Sequence, residues 1–242
     1  MSDAMSRPVT RFGVIGAGAM GRVFARRLAE RGHAVKMANS RGPESLRGLA
    51  AELGVEAGSV AEAVMASQVV FLAIPSNAVA ALPRGLFEGV AAGTVVIDVG
   101  NYHPQLRDGR IEAIERGALD SEWVAEQLGR PVVKAFNSIL AGSLLEKAAP
   151  RGASGRIALP VSGDSPEAVA CVARLVDDFG FDAVEAGDLS ESWRQQTGAP
   201  AYCADLDAIA LRRALAEAEP GRVAEYREER ESYLRRLLEG RS

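Results

Sequence analysis

At 242 residues the chain can bury a full core, as one large domain or a domain with an appendage, and 48% hydrophobic with 25% charged content is ordinary for a folded soluble protein. A net charge of -4 gives no electrostatic reason to expect nucleic acid or an anionic membrane as partner. Two separated cysteines, Cys171 and Cys203, fit a reducing compartment better than a disulfide framework, and only two histidines argue against a dedicated zinc site.

Met1–Thr10 is polar and does not read as a signal peptide, and no apolar run is long enough to span a bilayer, so a cytoplasmic protein is expected. Strand-like runs then alternate with helical patterns. Arg11–Ile15 reads as a strand, Met20–Arg31 as a helix and Ala34–Ala38 as a second strand. Glu44–Leu53 is helical, a short Gly-flanked segment lies around Val55, and Val60–Ala66 is helical again. Val69–Ile74 is apolar throughout, as in a strand covered on both faces of a parallel sheet. Ser76–Leu82 and Leu86–Val90 give short helical pieces. Thr94–Val99, Val132–Phe136, Ile157–Val161 and Asp182–Glu185 read as strands, and Pro166–Phe179 as an amphipathic helix with proline in its first turn.

This alternation predicts an α/β fold with a doubly wound, mostly parallel sheet of Rossmann type over residues 11–200. The remainder, 201–242, reads as a helical extension: Asp205–Glu217 and Arg222–Leu238 are charged and helical, with no strand between them. It is expected to serve as a cap or an oligomer contact.

Gly16-Ala-Gly18-Ala-Met-Gly21 forms a GxGxxG pattern between the first strand and the first helix. Gly16 permits the tight turn, Gly18 lets backbone approach a pyrophosphate, and Gly21 lets helix pack on strand. The N–H groups around Ala19 and Met20, at the positive end of the helix dipole, suit a diphosphate. At the tip of the second strand an NAD enzyme usually carries an acid for the ribose 2′-hydroxyl. Here Asn39-Ser40-Arg41 stands instead, and a guanidinium beside a hydroxyl suits the 2′-phosphate of NADP. Further cofactor contacts are expected at the strand edges, from Ala73-Ile74-Pro75 and from Gly100-Asn101.

Taken together, these segments with Val96-Ile-Asp-Val-Gly-Asn101, Val133-Lys-Ala-Phe-Asn137, Val161-Ser-Gly-Asp164 and Glu185-Ala-Gly-Asp-Leu189 resemble the coenzyme F-420-dependent NADP oxidoreductase family, from about Arg11 to Thr197. The resemblance implies a Rossmann domain for NADP(H), a second electron acceptor facing the nicotinamide, and pairing as a homodimer. It also implies direct hydride transfer with no obligatory protein acid or base. Deazaflavin-using members often carry a histidine just after the fifth strand, where this chain has Asn137-Ser138-Ile139. Coenzyme F-420, a flavin, ferric chelates or a small imine or carbonyl compound therefore remain open as acceptors.

Tyr102, Asn137, Ser138 and Ile139 are the candidate substrate contacts, and Trp193 is an alternative aromatic lining. His103 is the candidate general acid should the acceptor be a carbonyl. His33 reads as structural and Cys203 as inert, and Lys134 as a contact for an anionic substrate or, in preference, a partner of a carboxylate such as Asp98. Two other readings stay open: a reductase resembling pyrroline-5-carboxylate reductase, and a non-catalytic NADP-binding redox sensor.

Overall fold

The computed structural model describes residues 10–239. Six parallel strands form the main sheet: β1 (Arg11–Ile15), β2 (Ala34–Ala38), β3 (Glu56–Ala57), β4 (Val69–Leu72), β5 (Val95–Asp98) and β6 (Val133–Lys134). Their spatial order, β3-β2-β1-β4-β5-β6, is that of the doubly wound dinucleotide-binding fold. The helices between them are α1 (Ala19–Glu30), α2 (Arg47–Leu53), α3 (Val60–Met65), α4 (Ser76–Val79), α5 (Glu112–Glu115) and α6 (Asp120–Leu128). After β6 come α7 (Ala141–Glu146), β7 (Ala158–Val161), α8 (Pro166–Asp178) and β8 (Asp182–Glu185), then α9 (Ala208–Glu217) and α10 (Val223–Glu239).

Strand β7 pairs with β8 in parallel, and an antiparallel bridge between Lys134 and Ser162 joins this pair to β6. The chain thus extends its sheet with a second pair of strands running the other way. That reversal positions the segment beyond β8 over the site described below.

The apolar runs divide as strand geometry requires. Val69 and Phe71 point into the core beneath α1 and α8, whereas Val70 and Leu72 point to the opposite face beneath α3, α4 and α6. Phe24, Phe71, Phe136 and Phe179 meet as one aromatic cluster, with ring centroids 4.4–6.4 Å apart.

The expected strands all form: β1, β2 and β8 keep their expected bounds, and β4 to β7 lose one or two residues at one or both ends because pairing stops before the apolar run does. The expected helix over Glu44–Leu53 is split into a tighter 3-10 turn, Pro43–Leu46, followed by α2. Leu86–Val90 forms turns rather than a helix. Helices α5, α6 and α7, and a π-turn over Pro104–Asp108, were not anticipated; α6 is amphipathic but begins without a side-chain cap that would mark its start.

The two tail helices dock on the domain. Leu211, Ala214 and Leu215 of α9 pack with Ala158 and Val184 of the second strand pair. Arg227 of α10 lies over the Tyr102 ring, 4.8 Å from its centroid. Gly198 packs so tightly that a Cβ there would stand 2.0 Å from the Tyr226 carbonyl oxygen. Among the described residues no helix is long and apolar enough to cross a membrane, and no cluster of three or more metal-ligating side chains occurs.

Candidate active site

The turn from β1 to α1 gives each glycine of the motif a distinct physical reason. Gly16 adopts φ +118°, and a Cβ there would stand 2.1 Å from the Ala73 carbonyl oxygen. At Gly21 a Cβ would meet the Gly16 carbonyl oxygen at 2.0 Å, so helix and turn can approach only without one. Gly18 differs: it caps α1 with extended backbone, and nothing lies within 4 Å of where its Cβ would be. The first intrahelical bond is from Arg22 N–H to the Gly18 carbonyl, so the N–H groups of Ala19, Met20 and Gly21 precede it, at the positive end of the helix. An open backbone cradle at a helix N-terminus fits a diphosphate.

At the tip of β2 the loop is held by its own polar groups. Asn39 Oδ1 accepts from the Arg41 N–H at 2.9 Å, and its Nδ2 donates to Ser45 Oγ at 3.0 Å. Ser40 and Arg41 are exposed, and no acidic side chain occupies the tip. The Arg41 guanidinium makes no hydrogen bond or ion pair among the described residues. This donor set is cationic and free to receive a phosphate.

The C-terminal edges of β1, β4 and β5 open onto a cavity of about 390 Å³. Gly18, Ala19 and Met20 line one side; Ala73-Ile74-Pro75 and Val99-Gly100-Asn101 form its floor. Asn137, Ile139, Leu140 and Ala141 continue the wall, and His103 and Arg107 face it from the loop after β5. The remaining wall is Tyr202 and Cys203, from the segment before α9.

Beneath that floor lies a buried ion pair. Lys134 Nζ donates to Asp98 Oδ2 at 3.0 Å and to the Gly100 carbonyl at 2.6 Å. Asp98 also accepts from Ser121 Oγ and from the Gly100 N–H. These bonds fix the backbone of Gly100 at the floor and leave Lys134, 1% exposed, no route to a ligand. Asn101 and Asn137 cross-link the floor to the wall: Asn101 Nδ2 donates to the Asn137 carbonyl at 3.0 Å, and Asn137 Nδ2 donates to Asn101 Oδ1 at 3.1 Å. Phe136 takes the left-handed conformation (φ 60°), held by its side chain in the aromatic cluster, and so turns Asn137 into this contact.

His103 is largely buried, with its Nε2 3.5 Å from the Tyr202 hydroxyl and its Nδ1 3.8 Å from Glu231 Oε1 of α10. Burial, and then the positive charge of Arg107, lower its pKa to about 4, so the ring is neutral at physiological pH. Burial also raises the Tyr202 phenol above its ordinary range, with neighbouring Cys203 adding to the shift, and raises the Cys203 thiol to about 11. Both hold their protons at neutral pH. Cys203 is another non-glycine residue in the left-handed region, at φ 51°, with its N–H tied to the Ser138 carbonyl.

Three expectations need correction. Tyr102 does not line the cavity: it is fully buried, donates its hydroxyl to Glu115, accepts from the Ile111 N–H, and packs in the core. Ser138 is buried behind the wall, where its carbonyl anchors Cys203. Trp193 lines a separate hollow with Pro220 and Arg227. The tyrosine on the cavity is Tyr202, which sequence reasoning passed over. Its only local signal was a Gly/Pro-rich approach, Thr197-Gly-Ala-Pro200, that frees the chain to turn back across the sheet.

Comparison with known proteins bears on the same residues. The profile described as NADP oxidoreductase, coenzyme F-420-dependent, matches residues 11–102. A hypothetical protein of Sinorhizobium meliloti is similar in structure, with a TM-score of 0.67 and 33% identity, covering 82% of this chain and 95% of that one. A protein from Arthrobacter assigned as an F-420-dependent NADP reductase is 24% identical, with a TM-score of 0.63 over 76% of this chain and 87% of its own. An imine reductase from Pseudomonas shares the fold at 19% identity and a TM-score of 0.52, covering 74% of this chain and 56% of that one. The curated Escherichia coli protein YjhV is 47% identical over 72 residues, which is 30% of this chain and 53% of that protein. With the glycine turn, the Asn-Ser-Arg tip and the six-strand order in place, residues 11–102 match the profile of the coenzyme F-420-dependent NADP oxidoreductase family, within a fold shared with Rossmann reductases.

Proposed function

We propose that this protein is an NADPH-dependent oxidoreductase that transfers hydride between NADP(H) and a small electron acceptor held in the cavity. The observation that carries the reading is the pairing of an open cradle at Gly18 with a free Arg41 at an acid-free strand tip. The backbone of Ala19 and Met20 holds the diphosphate, and Ser40 with Arg41 holds the 2′-phosphate through charge-assisted bonds. Ala73-Ile74-Pro75 and Gly100 are small or apolar enough to let the nicotinamide lie along the strand edges. The bound dinucleotide supplies the hydride; the protein supplies proximity and orientation.

Coenzyme F-420 and flavin are the first acceptors to assay, because the family description names the former. A carbonyl or imine compound is the second class, favoured by the proton-bearing His103 and Tyr202 on the cavity wall. The test is NADPH oxidation by the purified protein with F-420, FMN, ferric chelates and small carbonyls and imines. Turnover on any acceptor supports an oxidoreductase. Tight NADPH binding with no turnover on any of them would replace it with a redox sensor.

A further inference from the structure

We propose that Tyr202 is the proton donor of this site, replenished through His103 and Glu231, and that the physiological acceptor is a small carbonyl compound. The inference rests on the NADPH-dependent reading above and narrows its second substrate.

Three side chains from distant parts of the sequence form one file. Tyr202 and His103 both reach the cavity, and the phenol oxygen lies 3.5 Å from His103 Nε2. His103 Nδ1 has no hydrogen-bond partner among the described residues and stands 3.8 Å from Glu231 Oε1. Glu231 is fully buried; its Oε1 accepts from the Gln105 N–H, while Oε2 has no partner among the described residues. A carboxyl group is costly in such a place unless it is protonated or paired, and burial raises its pKa accordingly. The file therefore leads from an interior carboxyl group, through a neutral imidazole, to a phenol at the cavity surface.

The charged groups around His103 are Arg107 and Asp108 from the π-turn and Arg227 and Arg230 from α10, and Arg235 joins Arg227 beside Glu231. Arg107 is paired with Asp108 at 3.0 Å. The Arg230 guanidinium lies 5.6 Å from the centroid of the Tyr202 ring, so positive charge stands beside the position where a phenolate forms. The left-handed backbone at Cys203 holds the preceding tyrosine over the cavity.

The chemistry selects the substrate class. A flavin or deazaflavin ring delocalises the charge that arrives with a hydride and requires no acid at the receiving atom. A carbonyl concentrates that charge on one oxygen, which a positioned acid neutralises. As the carbonyl carbon gains its C–H bond and NADPH becomes NADP⁺, the C=O π pair moves to oxygen and takes the Tyr202 proton. The phenolate takes the Nε2 proton of His103, Nδ1 takes the Glu231 carboxyl proton, and solvent restores that proton. The product is an alcohol.

The full-length protein and its Tyr202→Phe and His103→Gln variants are compared in two assays. One measures NADPH affinity by fluorescence titration. The other measures turnover with methylglyoxal, 4-nitrobenzaldehyde, 1-pyrroline, F-420 and FMN. The expected result is reduction of a carbonyl probe by wild type, with Tyr202→Phe losing about 100-fold or more in kcat. NADPH affinity stays unchanged in that variant. His103→Gln loses kcat with KM and NADPH affinity preserved, a split that loss of packing alone would not give. The proposal is overturned if NADPH-binding wild type reduces neither carbonyl, or if Tyr202→Phe reduces them at the wild-type rate. Absence of NADPH binding in wild type would instead remove the reading beneath it.

Discussion

The two sides of the cavity are built in different ways. The cofactor side, Gly16 to Arg41, is a contiguous strand-turn-helix-strand segment whose shape follows from local glycines and the parallel register of β1 with β2. The proposed acceptor side is assembled from three separate stretches, with His103 after β5, Tyr202 before α9 and Glu231 in α10. Local construction suits a ligand part shared across a fold. Long-range construction lets the second substrate change by altering one loop and one tail while the cofactor side stays fixed.

The two sides share a foundation in the buried pair of Asp98 and Lys134. Lys134→Met strands the Asp98 carboxylate without its buried cation, and should cost about 3–5 kcal/mol in denaturant unfolding. A near-wild-type midpoint would show that this pair does not anchor the floor. Within the glycine turn the positions should separate. Gly16→Ala combines a left-handed backbone with a 2.1 Å clash and should lower stability by about 3 kcal/mol, read as a fall in Tm. Gly18→Ala places its methyl group in open space, so Tm should hold while the NADPH dissociation constant rises about tenfold or more, about 1.4 kcal/mol. A Gly18→Ala protein that melts early but binds normally would reverse these assignments.

The acceptor side should respond to pH. Folding holds His103 at about 4, against about 6.5 for an exposed imidazole, so the unfolded chain binds the proton first as pH falls. The stability linked to this group is fully present above pH 6.5, declines as pH falls to 4, and changes no further below that. Unfolding of wild type and His103→Gln at pH 7.5 and pH 5 should show a smaller pH decrement in the variant; equal decrements would place the imidazole in water.

These regions also differ in how far the sequence revealed them. The doubly wound sheet and the steric roles of Gly16 and Gly21 were legible because short apolar runs alternating with helices and a glycine-rich strand-helix turn are local patterns. So was the Lys134 pairing, since Asp98 and Lys134 end adjacent strands in register. Tyr102 was misplaced because its position directly after Asn101 suggests the cavity, whereas its hydroxyl is held by Glu115 and the Ile111 N–H in the core and His103 takes the wall. Tyr202 was invisible for a different reason. Nothing near it in sequence indicates that the reversed β7-β8 pair and the α9 packing return the chain to the edge of β5.

Selection of NADP(H) over NAD(H) by Arg41 is tested most directly by fluorescence titration of wild type and Arg41→Ala with NADPH and NADH. Wild type should bind NADPH about tenfold or more tighter than NADH, and Arg41→Ala should remove the difference by weakening NADPH alone. Equal affinity of wild type for the two cofactors, or an equal loss of both in the variant, would contradict it.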